Sequence, residues 1–360
     1  MIVKRVQLKD YRNYAFADVP FGEGVNVLYG SNAQGKTNLL EAVYFCGVGR
    51  SPRTPRDREL IKAGQPLGRI KLTAQDAGGD NTVEIVISKS ENKRVAVNGC
   101  PILKLGELMG VVAAVYFSPD EMRIIKDAPG DRRRFMDVAL CRMSKNYFYL
   151  LQRYNKILAQ RNRLLKNGEA TDDVLDVWDA QLAANGARIA LQRKGYLSRL
   201  LPYAAEAHGY LSGEKEDLRL SYEGLAGETE EEIGALFLKE LRQSRERDRK
   251  LCFTSCGVQK DDIVVALGET DVRAYGSQGQ QRTAALSLKL AETELHKERR
   301  GEYPVLLLDD VLSELDPDRQ KKLLLRSGKY QTVLTCTHVP QDLPQGCTLL
   351  RVENGKVHEE

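Results

Sequence analysis

The chain has 360 residues, 42% of them hydrophobic and 29% charged, with a formal net charge of +4. That length and balance provide for a large core and two domains, and they exclude an intrinsically disordered chain. No apolar run reaches the roughly 20 residues that a membrane-spanning helix needs, so no membrane partner is expected. With so small a net charge, an acidic partner has to be argued from where the charges sit.

Ile2–Leu8 alternates like a half-exposed strand, residues 9–14 read as a polar, aromatic connection, and Gly24–Tyr29 reads as a short buried strand. Next comes Gly30-Ser31-Asn32-Ala33-Gln34-Gly35-Lys36-Thr37, which fits G-x-x-x-x-G-K-[ST], with helical spacing in residues 38–44 after it. Backbone N–H groups of such a loop wrap a polyphosphate, and the helix it opens adds its positive dipole end. The pattern assigns Lys36 to the β- and γ-phosphates of ATP and Thr37 to Mg²⁺.

Gly49–Arg58 is a basic, proline-broken loop, a candidate contact for a phosphate backbone. Arg69–Ala74, Val83–Ser88 and Arg94–Val97 read as strands of an antiparallel layer, with turns at residues 76–81 and 98–99. Val111–Phe117 is a continuous apolar run that predicts a buried central strand. From Asp131 to Lys166 a single long helix is expected, carrying Phe135, Ala139, Met143, Tyr147, Leu151, Tyr154 and Leu158 as one stripe and stopping at Gly168. A second helix is expected from Asp172 to Leu201, ended by Pro202, with Val174, Val177, Trp178, Leu182 and Ile189 on one face. Residues 121–166 hold twelve Lys/Arg against four Asp/Glu, which makes this stretch a candidate DNA-facing surface. Leu218–Tyr222 and Ile263–Leu267 read as strands, and the charged segment 229–250 as a helix.

Seven cysteines are scattered, and although Cys252 and Cys256 are close, no second pair or histidine cluster completes a zinc site. Reduced thiols and a cytoplasmic location are the expectation.

The second half of a nucleotide site follows. Pro304–Asp310 is an apolar strand that ends in two carboxylates. Beside a phosphate loop, Asp309 is placed to organise Mg²⁺ and Asp310 to position the attacking water. Ser277-Gln278-Gly279-Gln280 opens a helix-forming run at 283–297 and makes a second anion site at a helix N-terminus. The phosphate loop already holds the phosphates in its own chain. Ser277, Gly279 and Gln280 are therefore expected to meet a nucleotide held by another copy. His338, just past a further strand ending at Thr335-Cys336-Thr337, is a candidate for touching a γ-phosphate.

Together these motifs resemble the ABC-type ATPase heads of SMC proteins. More narrowly, the chain resembles the RecF family of bacterial recombination mediators. The matching stretches are Val6–Tyr14, Pro119-Asp120 with Pro129 and Arg132–Asp137, and Leu307–Asp316. Two departures stand out. Asp127 sits where the family has Gly, and Gly257-Val258-Gln259-Lys260-Asp261-Asp262 replaces Gly-Pro-His-Arg-Asp-Asp.

The resemblance implies an α/β fold: an ABC-type P-loop ATPase head with a mixed sheet and an antiparallel layer, plus an inserted, mainly helical lobe. Residues 1–130 and 250–360 would form the head and residues 131–249 the lobe. It also implies an ATP-driven homodimer on double-stranded or gapped DNA, working with RecO and RecR to place RecA on single strands, with a link to replication and the SOS response. Three rivals fit parts of the pattern. The ATPase subunit of a membrane transporter lacks support because no Leu-Ser-Gly-Gly-Gln is present. A GTP switch or small-molecule kinase has no Asn-Lys-x-Asp to stand on. A structural DNA-binding protein with a vestigial nucleotide site is the third.

Overall fold

The computed structural model describes residues 1–213 and 216–360. Its nucleotide-side sheet has six strands in the order Lys356–Glu359, Thr348–Glu353, Val25–Tyr29, Thr332–Cys336, Val305–Asp309 and Ala114–Phe117. All neighbours in it are parallel except the terminal hairpin. Strands from both ends of the chain thus interleave. The apolar runs at 25–29, 305–309 and 332–336 are what a parallel sheet covered on both faces requires.

The expected central strand at 111–117 shortens to Ala114–Phe117 and lies at the sheet's edge. It is still fully buried, because the helix Gln278–Arg300 packs over it. Sequence apolarity reports coverage by neighbours and not position in the sheet, which is why an edge strand reads as a central one.

The second sheet is antiparallel, in the order Tyr14–Pro20, Ile2–Tyr11, Leu67–Asp76, Gly79–Ser88, Arg94–Val97 and Cys100–Pro101. Gly68, Ile70, Leu72 and Ala74 alternate inward along one strand. The connection expected at residues 9–14 contracts to Arg12-Asn13, because Tyr11 and Tyr14 pair across a hairpin and are fully buried. The helix Lys36–Val48 touches strands of both sheets and is buried on nearly every side. An apolar helix of this kind, without a polar face, belongs inside a core.

The middle of the chain is mainly helical: Pro129–Met143, Lys145–Asn167, Asp172–Ser212 and Glu230–Leu251. The single helix expected from Asp131 to Lys166 breaks at Ser144, which leaves helical geometry at φ −148° and accepts the N–H of Tyr147 at 3.2 Å. The next helix does not stop at Pro202 but runs 41 residues to Ser212. Leu200, Ala204, Ala207 and Leu211 are buried around the proline, and this helix packs along Gln278–Arg300. Tertiary packing here outweighs the ~3 kcal/mol that an interior proline costs. Val174 and Val177 are exposed, contrary to the expected face. The buried side runs through Leu175, Asp179, Leu182 and Ile189, at four-, three- and seven-residue steps, and Val177 points away from it.

The basic stretch is less basic outside than its count implies. Arg132 pairs with Asp262 at 2.5 Å, Arg142 with Glu292, and Arg161 with Asp179 and Asp248 at 2.7 Å each. All three arginines are buried. A third, three-stranded sheet joins Leu218–Glu223 to Asp262–Leu267 and Thr270–Asp271. In the departing segment, Gln259 accepts from the Tyr154 hydroxyl at 2.5 Å and ties that segment to the helix Lys145–Asn167.

Candidate nucleotide site

The phosphate loop bridges Val25–Tyr29 and Lys36–Val48. Its glycines are dictated by geometry. Gly30 has φ 143° and Gly35 φ 115°. A Cβ at Gly30 would collide with the Val352 carbonyl, and one at Gly35 would lie 2.6 Å from Asn13 Nδ2 and 2.9 Å from the Tyr14 hydroxyl. Gly35 is the N-cap, and no side chain caps this helix. Its first N–H groups are therefore left for a ligand.

Lys36 Nζ donates to the carbonyls of Gly30 at 2.5 Å and Ser31 at 2.8 Å, so the lysine lies across its own loop. Burial holds its pKa below the usual lysine value, opposed by the nearby Asp310, Cys336 and Asp309. Ser31, Asn32 and Ala33 form the exposed outer part of the loop, with Ala33 at φ 65°. Gln34 turns inward to the rest of the fold, since its side-chain oxygen accepts the N–H of Asn354 at 2.6 Å.

The two half-motifs meet through one carboxylate. Asp309 Oδ1 accepts from Thr37 Oγ1 at 2.8 Å and from Thr335 Oγ1 at 2.8 Å, while Oδ2 accepts from the Tyr116 hydroxyl at 2.9 Å. The parallel register of strands 305–309 and 332–336 sets Thr335 directly beside Asp309. Tyr116 comes from the neighbouring strand on the other side. Its phenol is pushed up, first by burial and then by the Asp309 charge.

Asp310 leaves the strand at φ 52°, exposed, with its N–H donated to Thr335 Oγ1 at 2.9 Å. A non-glycine residue in that region is uncommon and aims its side chain out of the sheet plane. Among the described residues no cluster of three His, Cys, Asp or Glu could cage a metal by itself. The pair Thr37–Asp309 fits Mg²⁺ all the same, because that ion is normally held by one or two protein oxygens together with phosphates and waters.

Sequence reasoning missed a wall of the site. Asn13 donates to the Gln34 carbonyl at 2.8 Å and accepts from Asn38 at 2.8 Å, and Tyr14 donates to the Gly35 carbonyl at 3.0 Å. Arg12 grips the fully buried Glu41 through two nitrogens, at 2.9 and 2.7 Å. Ser51 donates to the same carboxylate at 2.6 Å. Arg12, Asn13 and Tyr14 fall in the family-like stretch Val6–Tyr14, but nothing local says what they touch. The one sign is that Asn38 and Glu41 are polar residues in an otherwise apolar helix.

Ser277 caps the helix Gln278–Arg300. Its Oγ accepts the Gln280 N–H at 3.2 Å, and its own N–H is donated to Gln280 Oε1 at 2.8 Å, a reciprocal capping box. Gln280 Nε2 donates in turn to Glu216 at 2.7 Å. Among the described residues, no hydrogen bond or ion pair joins Ser277, Gly279 or Gln280 to the phosphate loop of the same chain. His338 is exposed, two residues beyond the strand Thr332–Cys336.

Fold and site together define an ABC-type P-loop ATPase head of the SMC kind, with a large helical region. The profile of the RecF/RecN/SMC N terminal domain matches residues 2–356. The DNA replication and repair protein RecF of Lachnospira eligens is 44% identical over 342 residues, which is 94% of this chain and 93% of that protein. The RecF of Ruminiclostridium cellulolyticum is 42% identical, over 99% of each chain. A solved structure described as the recombination mediator protein RecF-ATP in the RecFOR pathway is similar with a TM-score of 0.93 at 36% identity, covering 100% of this chain and 97% of that one. The chain belongs to the RecF family.

Proposed function

We propose that the protein is an ATP-dependent, DNA-binding recombination mediator of bacterial repair and replication restart. Residues 1–130 and 250–360 act as the ATPase head, and residues 131–249 as a helical lobe. Two copies close on ATP over duplex or gapped DNA and, with RecO and RecR, promote RecA loading on single strands in the cytoplasm. The name and pathway of the relatives support this reading, and no helix among the described residues is long and apolar enough to cross a membrane. The observation that carries it is the 2.8 Å bond between Thr37 and Asp309 beside an uncapped, glycine-shaped loop.

In this reading the loop amides and Lys36 hold the phosphates, Lys36 exchanging its two loop carbonyls for phosphate oxygens. Mg²⁺ at Thr37 and Asp309 would neutralise charge on the phosphates. Asp310 orients the attacking water, and His338 lies near the γ-phosphate. Ser277, Gly279 and Gln280 grip the γ-phosphate of a nucleotide bound to the second copy, so ATP favours the closed dimer by its differential affinity. Turnover is slow and stimulated by DNA, and loss of the γ-phosphate lets the copies part.

Light scattering with no nucleotide, with ADP and with ATP, run beside binding to duplex and gapped DNA, tests this. Only ATP should produce a dimer and tighten DNA binding. Ser277→Arg should bind ATP as the wild type does and stay monomeric. Normal dimerisation of Ser277→Arg would refute the shared site.

A further inference from the structure

Between the basic loop after the helix Lys36–Val48 and the helix Pro129–Met143 lies a cleft of about 860 Å³. Arg50, Arg53, Lys93, Arg123 and Arg134 line it, and Asp57 is the one carboxylate on its wall. Lys93 is committed, bonded to Asp57 at 2.7 Å and to the Gly49 carbonyl at 2.5 Å. Arg53 donates to Asn38 Oδ1 at 2.9 Å and is 3.7 Å from Glu41. Arg123 is only loosely paired, 3.6 Å from Asp120 and 3.9 Å from Asp127. Arg50 and Arg134 are exposed, and no ion pair engages either of them among the described residues.

Elsewhere in residues 121–166 the buried cations are closely paired. Arg132, Arg142 and Arg161 are all buried against carboxylates. Where arginines serve the fold, partners are supplied. Around the cleft, Arg50 and Arg134 face one concavity with no such partner among the described residues, and Arg123 with only distant ones, an arrangement that repels itself until an anion enters.

Planar guanidinium forks match phosphate oxygens bidentately. A phosphodiester backbone offers successive charges to cations set on two walls. We infer that this cleft seats consecutive phosphates of a DNA backbone, with Arg50 and Arg134 as their principal contacts. The inference deepens the proposed function and rests on it.

The position also gives the strand a route to the nucleotide site. Arg53 bonds Asn38, the residue after Thr37. Tyr44, on the cleft wall, packs on Tyr116 with ring centroids 5.5 Å apart, and the Tyr116 hydroxyl bonds Asp309. A backbone seated here bridges the nucleotide-side fold and the helical region.

The test is fluorescence anisotropy with labelled duplex and single-stranded DNA across a salt series, in ATP, on the full chain. In the double variant Arg50→Gln/Arg134→Gln the dissociation constant should rise about tenfold or more, and the slope of log affinity against log salt should fall by about two. Arg50→Lys/Arg134→Lys should keep the slope. ATP affinity and thermal midpoint should be unchanged in both, which separates charge loss from misfolding. An unaltered slope in the Gln variant, with wild-type DNA binding intact, overturns the inference alone. A wild type that ignores DNA overturns the proposed function as well. Calorimetry with inorganic tripolyphosphate on ATP-saturated protein forms the last arm. Binding that disappears in the Gln variant while its DNA slope is unaltered marks a free-anion site and overturns the backbone assignment.

Discussion

Two helix N-termini of this protein offer the same partial positive charge and treat it in opposite ways. Lys36–Val48 starts from Gly35 with no side-chain cap. Gln278–Arg300 starts from Ser277 with a complete capping box. Against a glycine N-cap, a capping side chain gains only about a few tenths of a kcal/mol, so the first helix gives up little by leaving its amides open. The first start has its loop bent to shape and its amides open, ready for phosphate. The second is closed by its own Gln280, whose amide oxygen takes the Ser277 N–H and whose nitrogen is held by Glu216. A site that binds nucleotide in its own chain can stand open. If Ser277, Gly279 and Gln280 meet nucleotide only across a dimer, as proposed, opening this latch becomes part of the cost of dimerising.

Substitutions on the open side should give the largest effects, because the proposed function puts those groups at the reacting atoms. Asp310→Asn keeps the shape and removes the carboxylate charge. If Asp310 positions the attacking water, hydrolysis should slow about 10³-fold, within the range for a positioned acid–base group, while ATP still binds and the dimer accumulates. Single-turnover phosphate release beside light scattering checks both halves. Lys36→Met comes next. Charge-assisted hydrogen bonds contribute roughly 1.5–3 kcal/mol, so ATP affinity should fall about a hundredfold, read by titration with a fluorescent nucleotide. Dimerisation and ATP-dependent DNA binding should go with it. Unchanged ATP affinity would mean that Lys36 stays on the Gly30 and Ser31 carbonyls in the bound state.

The contrast also explains what the sequence could and could not disclose. The phosphate loop, the carboxylate-ended strand at 305–309 and the Ser277 cap are each written in contiguous residues, and each folds as its local chemistry requires. The Thr37–Asp309 bond spans 272 positions and was reachable only because both motifs belong to one recurrent site. Tyr116 and Thr335 carry no motif, and the family-like stretch Val6–Tyr14 does not say what Asn13 and Tyr14 touch. Their contacts come from strand register and from a hairpin turn that tertiary burial of Tyr11 and Tyr14 tightens. The helical region misled in a consistent way. Ser144 breaks a stripe that periodicity carries straight through, and packing carries a helix past Pro202. The count of basic residues overstates the exposed charge for a similar reason: it cannot see that Arg132, Arg142 and Arg161 have partners far along the chain.

The smallest expected effect bears most directly on the latch. Glu216 holds Gln280 Nε2 at 2.7 Å and His208 Nε2 at 2.9 Å, the latter a fully buried ring whose pKa burial depresses. Gln280 has to leave Glu216 if it is to reach a phosphate in the opposite copy. Glu216→Ala removes that anchor and leaves the Ser277–Gln280 box in place. A hydrogen bond of this kind contributes about 0.5–1.5 kcal/mol, so the ATP-dependent dimer should tighten about threefold, the lower end of that range, as measured by equilibrium sedimentation in ATP. The monomer's thermal midpoint should drop slightly, because His208 loses a partner. A weaker dimer would give the opposite answer, that Glu216 holds Gln280 where the incoming phosphate needs it. In that case the second helix start is as well prepared as the first, and the contrast between them disappears.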